Sequence, residues 1–144
     1  MNTKYSDVFE LVLALMKSFE IDDVYAANGD DGITKFFIPY IKIASGELEI
    51  SGSDINLSDR NDELFEFNER LSDGKQLVVA KIIFAGYLSK ETHDILQMRL
   101  HLQDGDFKTY AEKNNLDGKL NALYTLKEEI DYNIKKIGYN EYKW

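Results

Sequence analysis

The chain has no cysteine. That excludes a disulfide framework, a thiol nucleophile and a thiolate metal site. Histidine is nearly missing too. His93 and His101 stand eight residues apart, not the i, i+4 spacing of a helical zinc pair, and no third ligand lies close in sequence. No metal and no cofactor is expected. There is no phosphate loop and no nucleophile elbow. Asp54-x-Asn56-x-Ser58 begins like a calcium loop, but Asp59 stands where glycine is needed and Phe65 where glutamate is needed. The many carboxylates have no His, Cys or Gly-rich loop to organise them into a site, so the sequence predicts no enzyme. No apolar run reaches the roughly 18 residues of a membrane span. No basic-then-apolar leader opens the chain, so a cytoplasmic protein is expected. Internal repeats and low-complexity segments are absent as well.

What is present describes one globular domain over 1–144. Hydrophobic residues make up 44%, too apolar a composition for a disordered chain. The net charge is −9 and unevenly placed. Residues 1–72 carry 15 acids against 6 bases, whereas 73–144 carry 11 of each. The acid excess argues against a duplex-binding face, which needs cations to displace counterions. It suits a solvated surface, a mimic of nucleic acid, or a wall past which DNA slides without sticking.

The apolar spacing is mainly helical. Val8, Phe9, Leu11, Val12, Leu15, Met16 and Phe19 recur at threes and fours, which predicts a helix over about 6–19 with Ser6 as N-cap. Ile33 to Ala44 reads as strand or helix. Pro39, the one proline, forbids a central strand and disrupts a regular helix, so a helix over about 30–45, kinked or restarted at Pro39, is favoured. Leu48, Ile50, Ile55 and Leu57 alternate around Ser51-Gly52-Ser53. That pattern predicts a β-hairpin over 46–58, projecting from the bundle and resting on a partner. A short helix is expected near Leu64–Leu71.

Ser72-Asp73-Gly74 opens a helix from Leu77 to Leu88 that is apolar nearly all round, hence central and buried. Ser89 to Thr92 is expected to break it, with a further helix over 91–103. The longest helix is expected over 106–137, kinked at Asp117-Gly118 and stopped by Gly138. Residues 138–144 then form a tail with Tyr139, Tyr142 and Trp144. Such aromatic rings either fold back onto their own bundle or anchor the chain on a partner, as interface aromatics do. The predicted core is Leu77, Ile82, Ile83, Phe84, Leu96, Leu100, Leu123 and Ile130. The fold class expected is mainly α: a helical bundle with a long C-terminal helix and one small β-hairpin.

Three stretches carry a family likeness: Leu77 to Leu88 (LVVAKIIFAGYL), Asp94 to Met98 (DILQM), and Leu100 to Glu112 (LHLQDGDFKTYAE) with Asn115-Leu116. Together with the Ser6-Asp7-Val8 helix they resemble the head–tail connector, or adaptor, proteins of the neck of tailed bacteriophages. The likeness covers most of the chain and is weakest over 46–72. It implies a structural subunit of the virion neck, made in the bacterial host cytoplasm. Such subunits form rings, commonly twelve-membered, that join the portal protein to the next neck or tail protein. They leave a channel through which DNA passes without specific binding, and they need no membrane. On this reading Tyr139, Tyr142 and Trp144, with Leu48, Ile50, Ile55 and Leu57, are the partner-binding residues. The alternative expectation is a small acidic inhibitor, an immunity or anti-defence protein that mimics nucleic acid.

Overall fold

The structure is a computed structural model that describes residues 2–16 and 35–141, with side chains through Gly138. Thr3–Lys4 forms strand β1 and leads directly into helix α1, Tyr5–Leu15. A second helix, α2, runs over 35–50. Strands β2 (Arg60–Asn61) and β3 (Glu66–Phe67) follow. Helix α3 spans Asp73–Gln97 and passes through a 3-10 turn at Met98–Leu100. Helix α4 is Asp104–Lys113 and α5 is Leu116–Glu141. The protein is mainly α, with a long C-terminal helix and a small sheet, as the sequence pattern predicts.

The sheet stitches the N-terminus to the middle of the chain. Its order is β1-β3-β2, all antiparallel, with Thr3 opposite Phe67 and Arg60 opposite Phe67 on the other side. The chain enters α1 straight from the sheet, so Ser6 lies inside the first turn and is not the cap. The Tyr5 amide instead donates to the Phe65 carbonyl at 2.8 Å. The Thr3 hydroxyl accepts from the Leu71 amide at 2.7 Å. Helix α1 ends at Leu15, four residues short of the expected end, because Met16 turns extended.

The hairpin expected over 46–58 does not form. Residues 46–50 are the last turn of α2. Gly52 takes a φ of +72°, and the Ser53 amide reaches back to the Leu48 carbonyl at 3.1 Å while the Gly52 amide reaches Glu49 at 3.1 Å. That double bond pattern is a Schellman helix stop. Glycine and serine thus end a helix here, where alternation suggested a strand turn. The observed hairpin lies further on, at 60–67, where a short helix was expected. The Asn61 side chain accepts from the Glu63 and Leu64 amides at 2.9 and 3.0 Å, an Asx arrangement that favours a turn over a helix.

Helix α3 is uninterrupted through Ser89–Thr92. Ser, Lys, Glu and Thr cost only tenths of a kcal/mol each inside a helix. Packing offsets that cost, since Leu88, Thr92 and Ile95 are all buried. The helix opens at Ser72-Asp73-Gly74 as expected, and Ser72 is its cap, its hydroxyl accepting from the Lys75 amide at 3.4 Å. The expected kink in the last helix is a full break, and it falls at Asn114-Asn115, not at Asp117-Gly118. Asn115 has a φ of +53°, which asparagine tolerates better than most residues. Gly138 does not stop α5, which continues to Glu141.

Helix α3 is central, as its all-round apolarity predicts. It packs on α1 and on α5, while Tyr40 of α2 closes on Gly86 so tightly that an added Cβ would sit 3.0 Å from its ring. Ile82, Ile83, Phe84 and Leu123 are buried as expected, and Ile130 packs at the core edge. Leu77, Leu96 and Leu100 are exposed. Their place is taken by side chains from the first half of the chain: Tyr5, Val8, Val12, Phe37, Ile41, Leu48, Leu57 and Phe67. Aromatic rings tie these elements together, with Phe9 on Phe37 at 5.2 Å and Tyr5 on Phe67 at 4.7 Å. A separate small core, built on Ile95, Phe107 and Leu116, joins α4 to the ends of α3 and α5.

Candidate interaction surfaces

The residues expected to bind partners divide sharply. Leu48, Ile55 and Leu57 are buried in the main core, so they cannot present a projecting surface. The Schellman stop explains why. It ends α2 at Ile50, and the irregular segment that follows packs Ile55 and Leu57 into the main core. Ile50 faces outward and is 84% exposed. The side chains of Tyr139, Tyr142 and Trp144 lie outside the described residues. The expectation that Gly138 frees the chain from the α5 axis is overturned, since the helix runs past it.

A groove of about 1130 Å³ lies between α2, α3 and α5. Phe36, Tyr40, Ile82, Ala85, Ile130 and Ile134 give it an apolar floor. Lys35, Glu47, Lys90, His93, Lys127 and Asp131 stand around it. Both signs of charge are present, and Lys90 already holds Asp94 at 2.7 Å. This hydrogen bond raises the Lys90 pKa, so the ammonium stays charged. Burial raises the pKa of the Tyr40 phenol, with Lys90 opposing. The His93 ring meets Gln97 at 3.4 Å. Among the described residues, no three His, Asp or Glu side chains come close enough to hold a metal ion. The groove thus combines an apolar floor with charged side chains of both signs around it.

Among the described residues, exposed apolar side chains stand near both ends of α3. At the end where α3 starts, the β2–β3 turn lifts Leu64, 66% exposed. Phe65 beside it has a φ of +54°, an uncommon conformation for a bulky residue. Its carbonyl caps α1, and its ring rests 6.3 Å from Tyr5. At the other end of α3, roughly 37 Å away along a 25-residue helix, Leu96 and Leu100 face solvent. Arg99 lies over the Phe107 ring at 4.6 Å and closes the small core beneath them. Along α5, Tyr124 and Tyr132 are both 63% exposed and fall on one i, i+4, i+8 row with Glu128.

Phe36, Tyr40 and Ile43 stand in the apolar segment of the expected second helix and Leu64 in an expected short helix, while Tyr124 and Tyr132 are not singled out by the apolar pattern. The spacing of the two tyrosines was a readable signal. The exposure of Leu64 was not, because it depends on an asparagine turn that the acidic surroundings disguised. Two polar ties hold the long helices in register. Lys81 of α3 donates to Asn133 at 2.9 Å and pairs with Glu129 at 3.4 Å, and Lys119 of α5 reaches Glu91 at 3.5 Å. Among the described residues, no helix is long and apolar enough to cross a membrane. No protein-family model, no curated protein and no solved structure matches the chain.

Proposed function

We propose that the protein is a structural subunit of a bacteriophage neck, a connector that assembles as a ring between the portal and the next neck or tail protein. The observation that carries this reading is the placement of exposed apolar side chains at opposite ends of α3, Leu64 at one end and Leu96 with Leu100 at the other. A subunit held between two components needs a contact surface at each end. Single exposed leucines are ordinary. Here they come with a rigid helical pair between them and with exposed tyrosines along α5, the residue type that interfaces favour. The sequence likeness to head–tail connectors supplies the portal as partner and the virion as location. The uneven charge suits a channel that DNA crosses without being retained.

The test is co-expression with the portal protein of the same genome, followed by size measurement and electron microscopy. A ring seated on the portal, and the chain present in purified virions, is the expected outcome. A chain that leaves the portal bare and is missing from purified particles would refute the reading.

One observation favours a second reading, an acidic inhibitor that mimics nucleic acid. Residues 47–69 hold eight acids and a single base, and all the acids but Glu66 are exposed. Tight, strongly salt-sensitive binding to a basic nuclease by the monomer would support it over the connector.

A further inference from the structure

The stretch from Asp104 to Ile137 carries one helical pattern in sequence, yet the chain folds it as two helices. The interruption is only Asn114-Asn115. Three features hold it open. The Asn114 side chain donates to the Tyr110 carbonyl at 2.9 Å and closes the end of α4. Asn115 adopts its positive φ, and its carbonyl accepts the Lys119 amide at 3.0 Å to start α5. Gly118 leaves room for the Asn115 side chain, whose Oδ1 would lie 2.5 Å from a Cβ at that position. Glycine is a poor choice inside a helix, so it marks the broken form as the one this sequence accommodates.

The element that the break folds back is lightly held. Helix α4 contributes one buried side chain, Phe107, to a small core that it shares with Ile95 and Leu116. The main core includes no residue of α4. The amides of Leu116, Asp117 and Gly118 are first-turn donors of α5, which an α-helix leaves without a partner inside itself. Joining the two helices would give each of them an i−4 carbonyl and release the backbone of Asn115 from its left-handed conformation. Against that stands the exposure of Phe107 and Ile95.

We propose that Asn114-Asn115 is a two-state joint. In one state α4 folds back on the end of α3. In the other, α4 and α5 merge into one helix over 104–141, and Ile95 with Phe107 becomes a free apolar surface. The joint stands on local geometry and is independent of the connector reading. A partner that covers Ile95 and Phe107 selects the merged state, since a ligand shifts an equilibrium only through its differential affinity for the two forms.

The full chain is suited to spin-label distance measurement because it has no cysteine. Labels are introduced as Lys108→Cys and Glu128→Cys, both exposed positions. A continuous helix puts these positions roughly 30 Å apart, and any folded-back arrangement puts them closer. Gly118→Ala expels the Asn115 side chain and favours the merged helix, so a population near the long distance should appear. Amides 116–118 should then gain hydrogen-exchange protection, which simple destabilisation would lower. Asn115→Ala should act in the same direction. Asn115→Gly, which suits a positive φ, should keep the short distance alone. If Gly118→Ala and Asn115→Ala both retain only the short distance, or lose protection at 116–118, the joint is a fixed corner and the proposal fails.

Discussion

Replacing Leu48 with alanine tests where residues 46–58 belong. Leu48 sits in the last turn of α2 with 0% of its surface exposed. Its carbonyl accepts both the Ser51 hydroxyl, at 2.8 Å, and the Ser53 amide. The substitution leaves those backbone bonds in place and removes three methyl and methine carbons from a close-packed site. The transfer part of the loss is about 2–3 kcal/mol. The cavity left behind adds to it, for a total of about 3–5 kcal/mol. In a chain of this size each kcal/mol lowers the melting temperature by roughly 2–4 °C, so a fall on the order of 10 °C is expected. Circular dichroism during heating, with urea unfolding in parallel, measures it. Ile50→Ala, two residues on and 84% exposed, serves as the comparison and should stay within about 0.5 kcal/mol of the parent. Had 46–58 been a projecting hairpin, the two variants would melt alike. Equal and small effects would refute the placement of Leu48 in the core and the helix stop that puts it there.

Phe84→Ala should cost about 3–5 kcal/mol in urea unfolding, as expected for a large aromatic in the central helix. Gly52→Ala should cost about 1 kcal/mol because the residue needs its positive φ, whereas Gly138→Ala, inside α5 with open space around it, should be neutral or stabilise by up to about 1 kcal/mol. A loss at Gly138 would mean that the helix ends there after all. Burial and the hydrogen bond to Asp62 raise the Tyr5 pKa, so the folded state holds the phenolic proton more tightly than the unfolded chain. Stability is then full below about pH 10, the ordinary tyrosine value, and falls as the pH rises above it. Tyr5→Phe should flatten that alkaline decline in pH-dependent melting, with Tyr40 and Lys90, also raised, contributing to the slope that remains.

The helices were legible where one physical signal acted alone. Val8, Phe9 and Val12 announce α1 by spacing, and the run from Leu77 to Leu88 announces a central helix by being apolar on every side. Errors arose where a short polar motif has two meanings. Ser51-Gly52 suits a strand turn and a Schellman stop equally well, and only the bond from Ser53 back to Leu48 separates them. Ser89 to Thr92 looks like a breaker by composition, yet buried neighbours outweigh a propensity cost of tenths of a kcal/mol. Asp117-Gly118 drew attention as a kink because glycine is a weak helix former. Its role is indirect, since it admits the Asn115 side chain, and that asparagine makes the break.

The interaction surfaces were less legible because exposure is a property of assembly, not of pattern. Periodicity marks Leu96 and Leu100 as core residues, and in a longer bundle they would be. Here α1 and α2 pack against the earlier part of α3, and the small core under α4 reaches only Ile95 on that helix. The two leucines are left at the tip. The same reasoning runs the other way for Leu48, Ile55 and Leu57, which look like an exposed hairpin and are interior. A sequence read alone assigns apolar residues to elements. Which of them meet water depends on where the elements end, and those ends are set by Gly52, Asn61 and Asn115. Those three residues carry no hydrophobic signal, yet they decide which apolar side chains remain free to bind something else.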